Sequence, residues 1–303
     1  MESEAFIVRF WGTRGSYPVP GRHTVHYGGN TPCVELQIGK HVLIIDAGTG
    51  IINLGQDLVR RSQENQGAPI VATLLLTHLH HDHTHGFPFF APILIPSSMV
   101  HILGPHTFEK KLDEVLRTVV LTLNFPVELR EMPSLKIIYS LPATETVVLG
   151  PEPTDLRLYN IYRDSIAPSP DLVRIRVLKS YAHPSNGVYI YRVEWRNKSV
   201  VFASDTEGYQ DTDRRLVSFA RNTDVLIHDA QYTRQAYAES RQGWGHSTPD
   251  MACAVAQMCG ARRLVLFHHD PLHDDEKIAQ MEAEAQQLFP RTVAAYEGLE
   301  IAL

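Results

Sequence analysis

Thr77-His78-Leu79-His80-His81-Asp82-His83 comes directly after the apolar run Ile70-Val71-Ala72-Thr73-Leu74-Leu75-Leu76. That run, led in by Gly67 and Pro69, predicts a buried strand. The histidines therefore crowd at the strand's carboxyl end, where they make poor core and good metal ligands. Neutral imidazole and carboxylate together suit zinc, manganese or iron. A solvated His-rich loop is the competing account, and Asp82 among the imidazoles argues against it.

The same pattern recurs further on. Ser199 to Ser204 reads as an apolar strand ending at Asp205, Asp224 to Ile227 as one ending at His228-Asp229, and Arg263 to Phe267 as one ending at His268-His269-Asp270. A lone Asp at a strand end is usually a turn residue, and a lone His usually packs or hydrogen-bonds. Their joint recurrence predicts one site, because active sites of layered α/β folds gather at strand carboxyl ends.

Composition sets the limits. The chain has 303 residues, 44% hydrophobic, and a formal charge of −6 from 28 Lys+Arg and 34 Asp+Glu. No charge-free run is long enough to span a membrane, and no charged-then-apolar leader opens the chain, so a soluble, cytoplasmic protein is expected. The acidic balance makes a long nucleic-acid partner less expected than a small one. Cys33, Cys253 and Cys259 are odd in number and scattered, which predicts reduced structural thiols. No repeat or low-complexity linker divides the chain, so residues 1–303 are expected to form a single domain of two similar αβ halves.

Locally, Ala5 to Trp11 predicts a strand, Val34–Ile38 and His41–Ile45 a hairpin about Gly39-Lys40, and Gly50 to about Arg61 a helix opened by Ala47-Gly48-Thr49-Gly50. That glycine-rich turn lacks the Lys-Ser/Thr ending of a phosphate loop. Phe108 to Leu121 has helical periodicity, and residues 135–149 predict two strands. Gly150 to Pro170, punctuated by Pro151, Pro153, Pro168 and Pro170, reads as a long irregular loop, either a cover over the site or an insertion without a role. Leu172–Leu178 and Gly187–Trp195 alternate as strands. Thr248 caps a helix running to Cys259 with Gly260 as its stop, and a last helix covers about Asp274 to Leu288.

These motifs, in this order, resemble the metallo-β-lactamase superfamily, an α/β fold built as a four-layer αββα sandwich with a binuclear site at its edge. Asp46 with Gly48-Thr49-Gly50 is similar to its first motif, Thr77–His83 to the second, His183 to the third, Asp205 to the fourth and His268 to the fifth. The resemblance implies two divalent metal ions, zinc foremost with manganese or iron also admitted. His78, His80 and His183 would hold one, and Asp82, His83 and His268 the other, with Asp205 bridging. Asp46 is expected to orient a ligand rather than bind, and His81 to point away by strand-end alternation. One residue of register decides between His268 and His269, and analogy with Thr77-His78 favours His268.

Leu226-Ile227-His228-Asp229-Ala230-Gln231-Tyr232 and Gly245-His246-Ser247-Thr248 resemble paired segments of the ribonuclease Z and cyclic-nucleotide phosphodiesterase branch, with Asp229 in place of a longer Glu. The implied mechanism is attack on phosphorus by a metal-bridging hydroxide oriented by Asp82, with His246, backed by Asp229, protonating the leaving oxygen. Helix capping is the bland alternative for His246. Arg14 and Asn30 would either reach the substrate or serve as turn residues. No basic, Gly-rich arm lies between the second and third motifs. Together with the negative charge, this makes a tRNA substrate less expected, and the amino-terminal segments Trp11-Gly12-Thr13-Arg14-Gly15-Ser16 and Tyr27-Gly28-Gly29-Asn30-Thr31, similar to those of bacterial cyclic-nucleotide or small-molecule phosphodiesterases, imply a small phosphodiester such as a cyclic nucleotide. A ribonuclease Z-like RNA nuclease comes next, then a thioester or lactam hydrolase, then a non-catalytic binding protein. The resemblance leans towards a homodimer.

Overall fold

A computed structural model describes residues 5–106, 110–119, 126–184, 186–208 and 212–303. Six strands open the chain: β1 (Phe6–Gly12), β2 (Cys33–Ile38), β3 (His41–Ile45), β4 (Val71–Leu75), β5 (Met99–Pro105) and β6 (Leu135–Leu141). Eight more come after them: β7 (Glu145–Leu149), β8 (Leu156–Asn160), β9 (Val173–Ser180), β10 (Val188–Trp195), β11 (Lys198–Ala203), β12 (Val225–Asp229), β13 (Arg263–Phe267) and β14 (Thr292–Ala294). The closing strand β15 (Glu300–Ala302) returns to the first sheet, beside β1. The sheets have seven and eight strands, in the orders β15-β1-β2-β3-β4-β5-β6 and β14-β13-β12-β11-β10-β9-β7-β8.

Alternation along the strands builds the layers. On β4, Leu75 faces a central core shared by both sheets, whereas Ala72 and Leu74 face the outer helical side. On β13, Val265 and Phe267 face inwards, and Leu264 and Leu266 outwards. The central core joins Val8, Phe10 and Leu43 of one sheet to Ile175, Phe202 and Phe267 of the other. Phe267 meets Phe10 and Phe202 with ring centroids 6.0 and 5.3 Å apart, contacts that contribute roughly 0.5–1.5 kcal/mol each beyond area burial.

The helices in chain order are α1 (Gly50–Glu64), the single turn α2 (His81–Thr84), α3 (Leu112–Val119), α4 (Arg214–Phe219), the short α5 (Arg234–Ala236), α6 (Pro249–Cys259) and α7 (Asp275–Leu288). α1 and α3 cover the first sheet, and α4, α6 and α7 the second, giving the αββα layering. Among the described residues, no helix is long and apolar enough to cross a membrane.

Three expectations need correcting. The Gly150–Pro170 stretch is not wholly irregular: Leu156–Asn160 forms edge strand β8 against β7, because its prolines flank the strand and none lies in it. The helix expected over Phe108–Leu121 is seen as Leu112–Val119, and residues 107–109 and 120–125 lie outside the described set. Thr248 stands at the N-cap of α6, but its Oγ1 donates to Asp250 Oδ1 (2.7 Å) instead of accepting a backbone N–H. The left-handed Gly260 does end that helix.

Candidate metal centre and acid–base pair

Strands β3-β4-β5-β6 run parallel, as do β11-β12-β13-β14, and their carboxyl ends open on one edge of the sandwich. Asp46 comes just after β3, His78 after β4, Asp205 after β11 and His268 after β13, and Asp229 ends β12. Asp46, Asp205 and His268 all hold left-handed backbone (φ 64°, 52° and 64°). Such conformations are uncommon for residues with a Cβ and concentrate at functional sites. The α2 turn directs Asp82 and His83 inwards and leaves His81 exposed. His81 thus stays outside both donor clusters by helical phase, not strand alternation, and lies exposed at the rim of the site.

Among the described residues four overlapping sets of donor atoms lie within 4.8 Å of one another, and the two that share no residue with each other and exclude His246 are His78, His80 and His183, and Asp82, His83, Asp205 and His268. In the second, His83 Nε2 lies 3.2 Å from Asp205 Oδ1, 3.3 Å from Asp82 Oδ2 and 3.4 Å from His268 Nε2. Asp205 turns its other oxygen to the first cluster, 3.7 Å from His78 Nε2. His183 Nε2 is 3.2 Å from His80 Nδ1. His78 Nε2 is buried with no hydrogen-bond partner, an orphan that a bound cation would satisfy. So close a convergence of lone pairs fits divalent metal ions, and the fold implies them. Burial, with His83 next, holds His78 well below the usual imidazole range, and burial likewise lowers His80 and His183. These rings are therefore neutral and free to donate a lone pair.

A ring of outer partners fixes the donors. Asp46 accepts from Thr77 N (2.8 Å) and Thr77 Oγ1 (3.0 Å), and its other oxygen meets His83 Nδ1 at 2.8 Å, which aims His83 Nε2 at the cluster. Asp46 therefore orients His83 from outside the donor set. Gln231 Oε1 holds His268 Nδ1 (3.1 Å), Ser16 N donates to Asp82 Oδ2 (2.8 Å) and Ser204 Oγ donates to Asp205 Oδ1 (2.6 Å). Sequence reasoning missed all three supporting residues: Gln231 and the Ser16 N–H meet partners in distant segments, and Ser204 is a lone serine beside its aspartate, so none carries a motif. A Cβ added at Gly15 would sit 2.4 Å from the His268 ring. Gly15→Ala is therefore expected to push His268 aside and weaken metal binding on the scale of a lost outer partner, about 10–100-fold. Titration against a chelating dye measures this, and affinity within about twofold of wild type would refute it.

His246 Nδ1 lies 2.8 Å from Asp229 Oδ2, so the shorter Asp reaches. Asp229 also accepts from Ser247 N (2.8 Å) and Asp205 N (3.1 Å), tying the pair to the metal cluster. Burial alone would lower His246, but Asp229, its hydrogen bond, and Asp205 and Asp82 outweigh burial and raise it to about 9. His246 is thus an imidazolium at neutral pH and loses its proton as pH rises through that value. If it acts as an acid, the basic limb of the pH–rate profile should move to lower pH in Asp229→Asn, where the main charge holding the proton is gone. An unmoved limb would detach Asp229 from that role.

His269 faces away from the cluster: its Nε2 donates to Ala295 O (2.8 Å), and burial drives its pKa down to about 3. Arg14 is fully buried, donating through Nε to Gly28 O (2.8 Å) and through Nη1 to Asp270 O (3.2 Å). Asn30 is tied to Glu297 (3.0 Å). Both are structural turn residues. His228 is buried beneath the site, with Nδ1 on the Asp229 carbonyl (2.8 Å). The three cysteines are buried free thiols.

The site opens into a cleft of about 440 Å³ lined by Ser16, Leu79, His80, His81, Asp82, Asp205 and His246. A larger hollow of about 580 Å³ lies at the amino ends of β11–β14 and holds none of these groups.

A family model described as the β-lactamase superfamily domain matches residues 41–269. The ribonuclease Z of Thermoplasma acidophilum is 25% identical, covering 96% of this chain and 94% of its own. Among solved structures, the metallo-β-lactamase fold protein YhfI from Bacillus subtilis superposes with a TM-score of 0.66 at 18% identity, covering 99% of this chain and 100% of its own. The short form of human tRNase Z gives 0.60 at 20% identity, covering 97% and 98%. The chain belongs to the metallo-β-lactamase superfamily, in its ribonuclease Z-like branch, and is a metal-dependent hydrolase.

Proposed function

We propose that the protein is a binuclear metal phosphodiesterase cleaving a phosphodiester bond of an RNA strand. The observation that carries this is the His246–Asp229 pair, an imidazole held by a carboxylate at 2.8 Å, with a ring nitrogen within 4.8 Å of donor atoms on His183 and Asp205. Hydrolysis of a phosphodiester expels a poor leaving oxygen that needs a proton, whereas the thiolate of a thioester leaves readily without one. Alignment over nearly the whole chain with proteins named ribonuclease Z supports RNA ahead of the cyclic nucleotide that the amino-terminal resemblance implies.

In this reading, His78, His80 and His183 would hold one cation and Asp82, His83 and His268 the other, with Asp205 placed to serve both. When bound, the ions supply Lewis acidity and an acidified water. The chain's own groups do the rest. Asp82, fixed by Ser16 N, orients the nucleophilic water. His246 protonates the departing oxygen, and Asp229 holds its tautomer and charge. A small substrate is the second reading, favoured by the modest cleft and by the missing basic arm.

The test is a substrate panel with zinc or manganese restored: bis-p-nitrophenyl phosphate, a precursor tRNA, unstructured RNA, and cyclic mono- and dinucleotides. RNA cleavage exceeding that of cyclic nucleotides supports the proposal. Cleavage of cyclic nucleotides alone installs the second reading, and no cleavage of any phosphodiester defeats both.

A further inference from the structure

Trp244 lies two residues before His246 and is 53% exposed, although its neighbours Gly245 and His246 are buried. Its exposure is built in. The buried Glu207 carboxylate accepts from Gly243 N (2.8 Å), Gly245 N (3.0 Å) and Tyr237 Oη (2.6 Å), so the loop is anchored on both sides of the tryptophan. Gly243 and Gly245 hold left-handed backbone (φ 80° and 87°), and a Cβ on Gly245 would come within 2.4 Å of His183 Nδ1. The loop is thus pressed against a metal-cluster histidine while its indole is held in solvent.

One face of that indole is occupied. The Arg241 guanidinium lies 4.3 Å from the Trp244 ring and 5.7 Å from the Tyr232 ring. Tyr232 in turn meets His246 edge-on at 5.7 Å. A continuous chain of ring and cation contacts therefore runs from the surface indole to His246. A single exposed hydrophobe is ordinary. One anchored through a buried carboxylate, backed by a guanidinium and joined to the acid is a stacking surface, the means by which proteins hold unpaired bases.

We propose that Trp244, with Arg241 on its inner face, stacks the nucleobase beside the scissile phosphodiester, so that the substrate class is a base-bearing single strand or nucleotide rather than any phosphodiester. Glu207 is the positioning residue for this surface. The substrate assignment rests on the phosphodiesterase reading above.

Two measurements separate the surface from that reading. The first is the ratio of kcat/KM for thymidine 5′-(p-nitrophenyl phosphate) to that for methyl p-nitrophenyl phosphate, which share a leaving group and differ in carrying a nucleoside or a methyl group on the other ester. Trp244→Ala is expected to lower the ratio roughly tenfold, mainly through KM, and Trp244→Phe to keep most of it. A ratio unchanged in Trp244→Ala overturns the proposal. The second is quenching, by an oligothymidylate, of the tryptophan emission that Trp244→Phe removes, in the metal-loaded protein. Quenching by that strand and not by an abasic strand of equal length supports the stack, and equal or absent quenching overturns it. If neither ester turns over but base-dependent quenching persists, the phosphodiesterase reading falls and the stacking surface stands.

Discussion

His246→Ala is expected to lower turnover on an RNA phosphodiester by about 10²–10⁴-fold, the range for loss of a general acid, with bound metal near the wild-type level. The geometry gives the reason. Nδ1 is committed to Asp229 at 2.8 Å, so the far side of the ring is the part that can face a substrate in the cleft it lines. An alkoxide leaves with difficulty unless protonated, whereas p-nitrophenolate leaves unaided. The same variant should therefore lose no more than about tenfold on bis-p-nitrophenyl phosphate. Metal analysis decides the competing assignment. His183, Asp205 and His246 also form a set of convergent donors. If His246→Ala lost metal as extensively as His80→Ala, His246 would belong to the coordination shell and the acid would have to be sought elsewhere.

The cluster is legible in the sequence because its members sit where strands stop. Ile70–Leu76 announces its own end, which sets Thr77 and His78 at a sheet edge; the same holds for Phe202 before Asp205 and Phe267 before His268. The choice between His268 and His269 is legible through strand phase. Phe267 packs into the central core, so His268 opens the turn at the site, while His269 bridges back towards Arg14. The features that escape a sequence reading have no local signal. Glu207 works by accepting backbone N–H groups from residues 36 and 38 positions away, and a backbone donor leaves no side-chain motif to read. Gln231 and Ser16 reach the site from distant segments in the same way. Strand β14 has three residues, too few to show a period, and is defined by its parallel pairing with β13. Substrate class is the least legible property, because net charge describes a whole surface whereas recognition is decided by a few anchored groups.

Asp205→Asn should be the most damaging conservative change in the molecule. Its two oxygens serve different clusters, Oδ1 at 3.2 Å from His83 Nε2 and Oδ2 at 3.7 Å from His78 Nε2, so one side chain spans both. Burial opposes its charge, but His268, His83 and His78 around it hold the carboxyl well below the usual range, so it is an anion in a site otherwise rich in imidazole. Two cations bound side by side repel one another, and a shared carboxylate is what offsets that repulsion in a poorly screened interior. Asparagine keeps the shape, tolerates the left-handed backbone at φ 52°, and retains an oxygen for Ser204 Oγ, so the fold should survive. Only the charge goes. The second equivalent of metal should then bind far more weakly. Turnover should fall by roughly a thousandfold, the scale set by the several kcal/mol of transition-state charge stabilisation that a metal site supplies. Metal content after gel filtration and kcat on bis-p-nitrophenyl phosphate are the readouts. That substrate is apt because its good leaving group needs little help from His246, so a roughly thousandfold loss reports the metal centre. Two equivalents of tightly held metal in Asp205→Asn would show that the imidazoles and Asp82 suffice without a shared carboxylate, and the binuclear assignment of Asp205 would be abandoned.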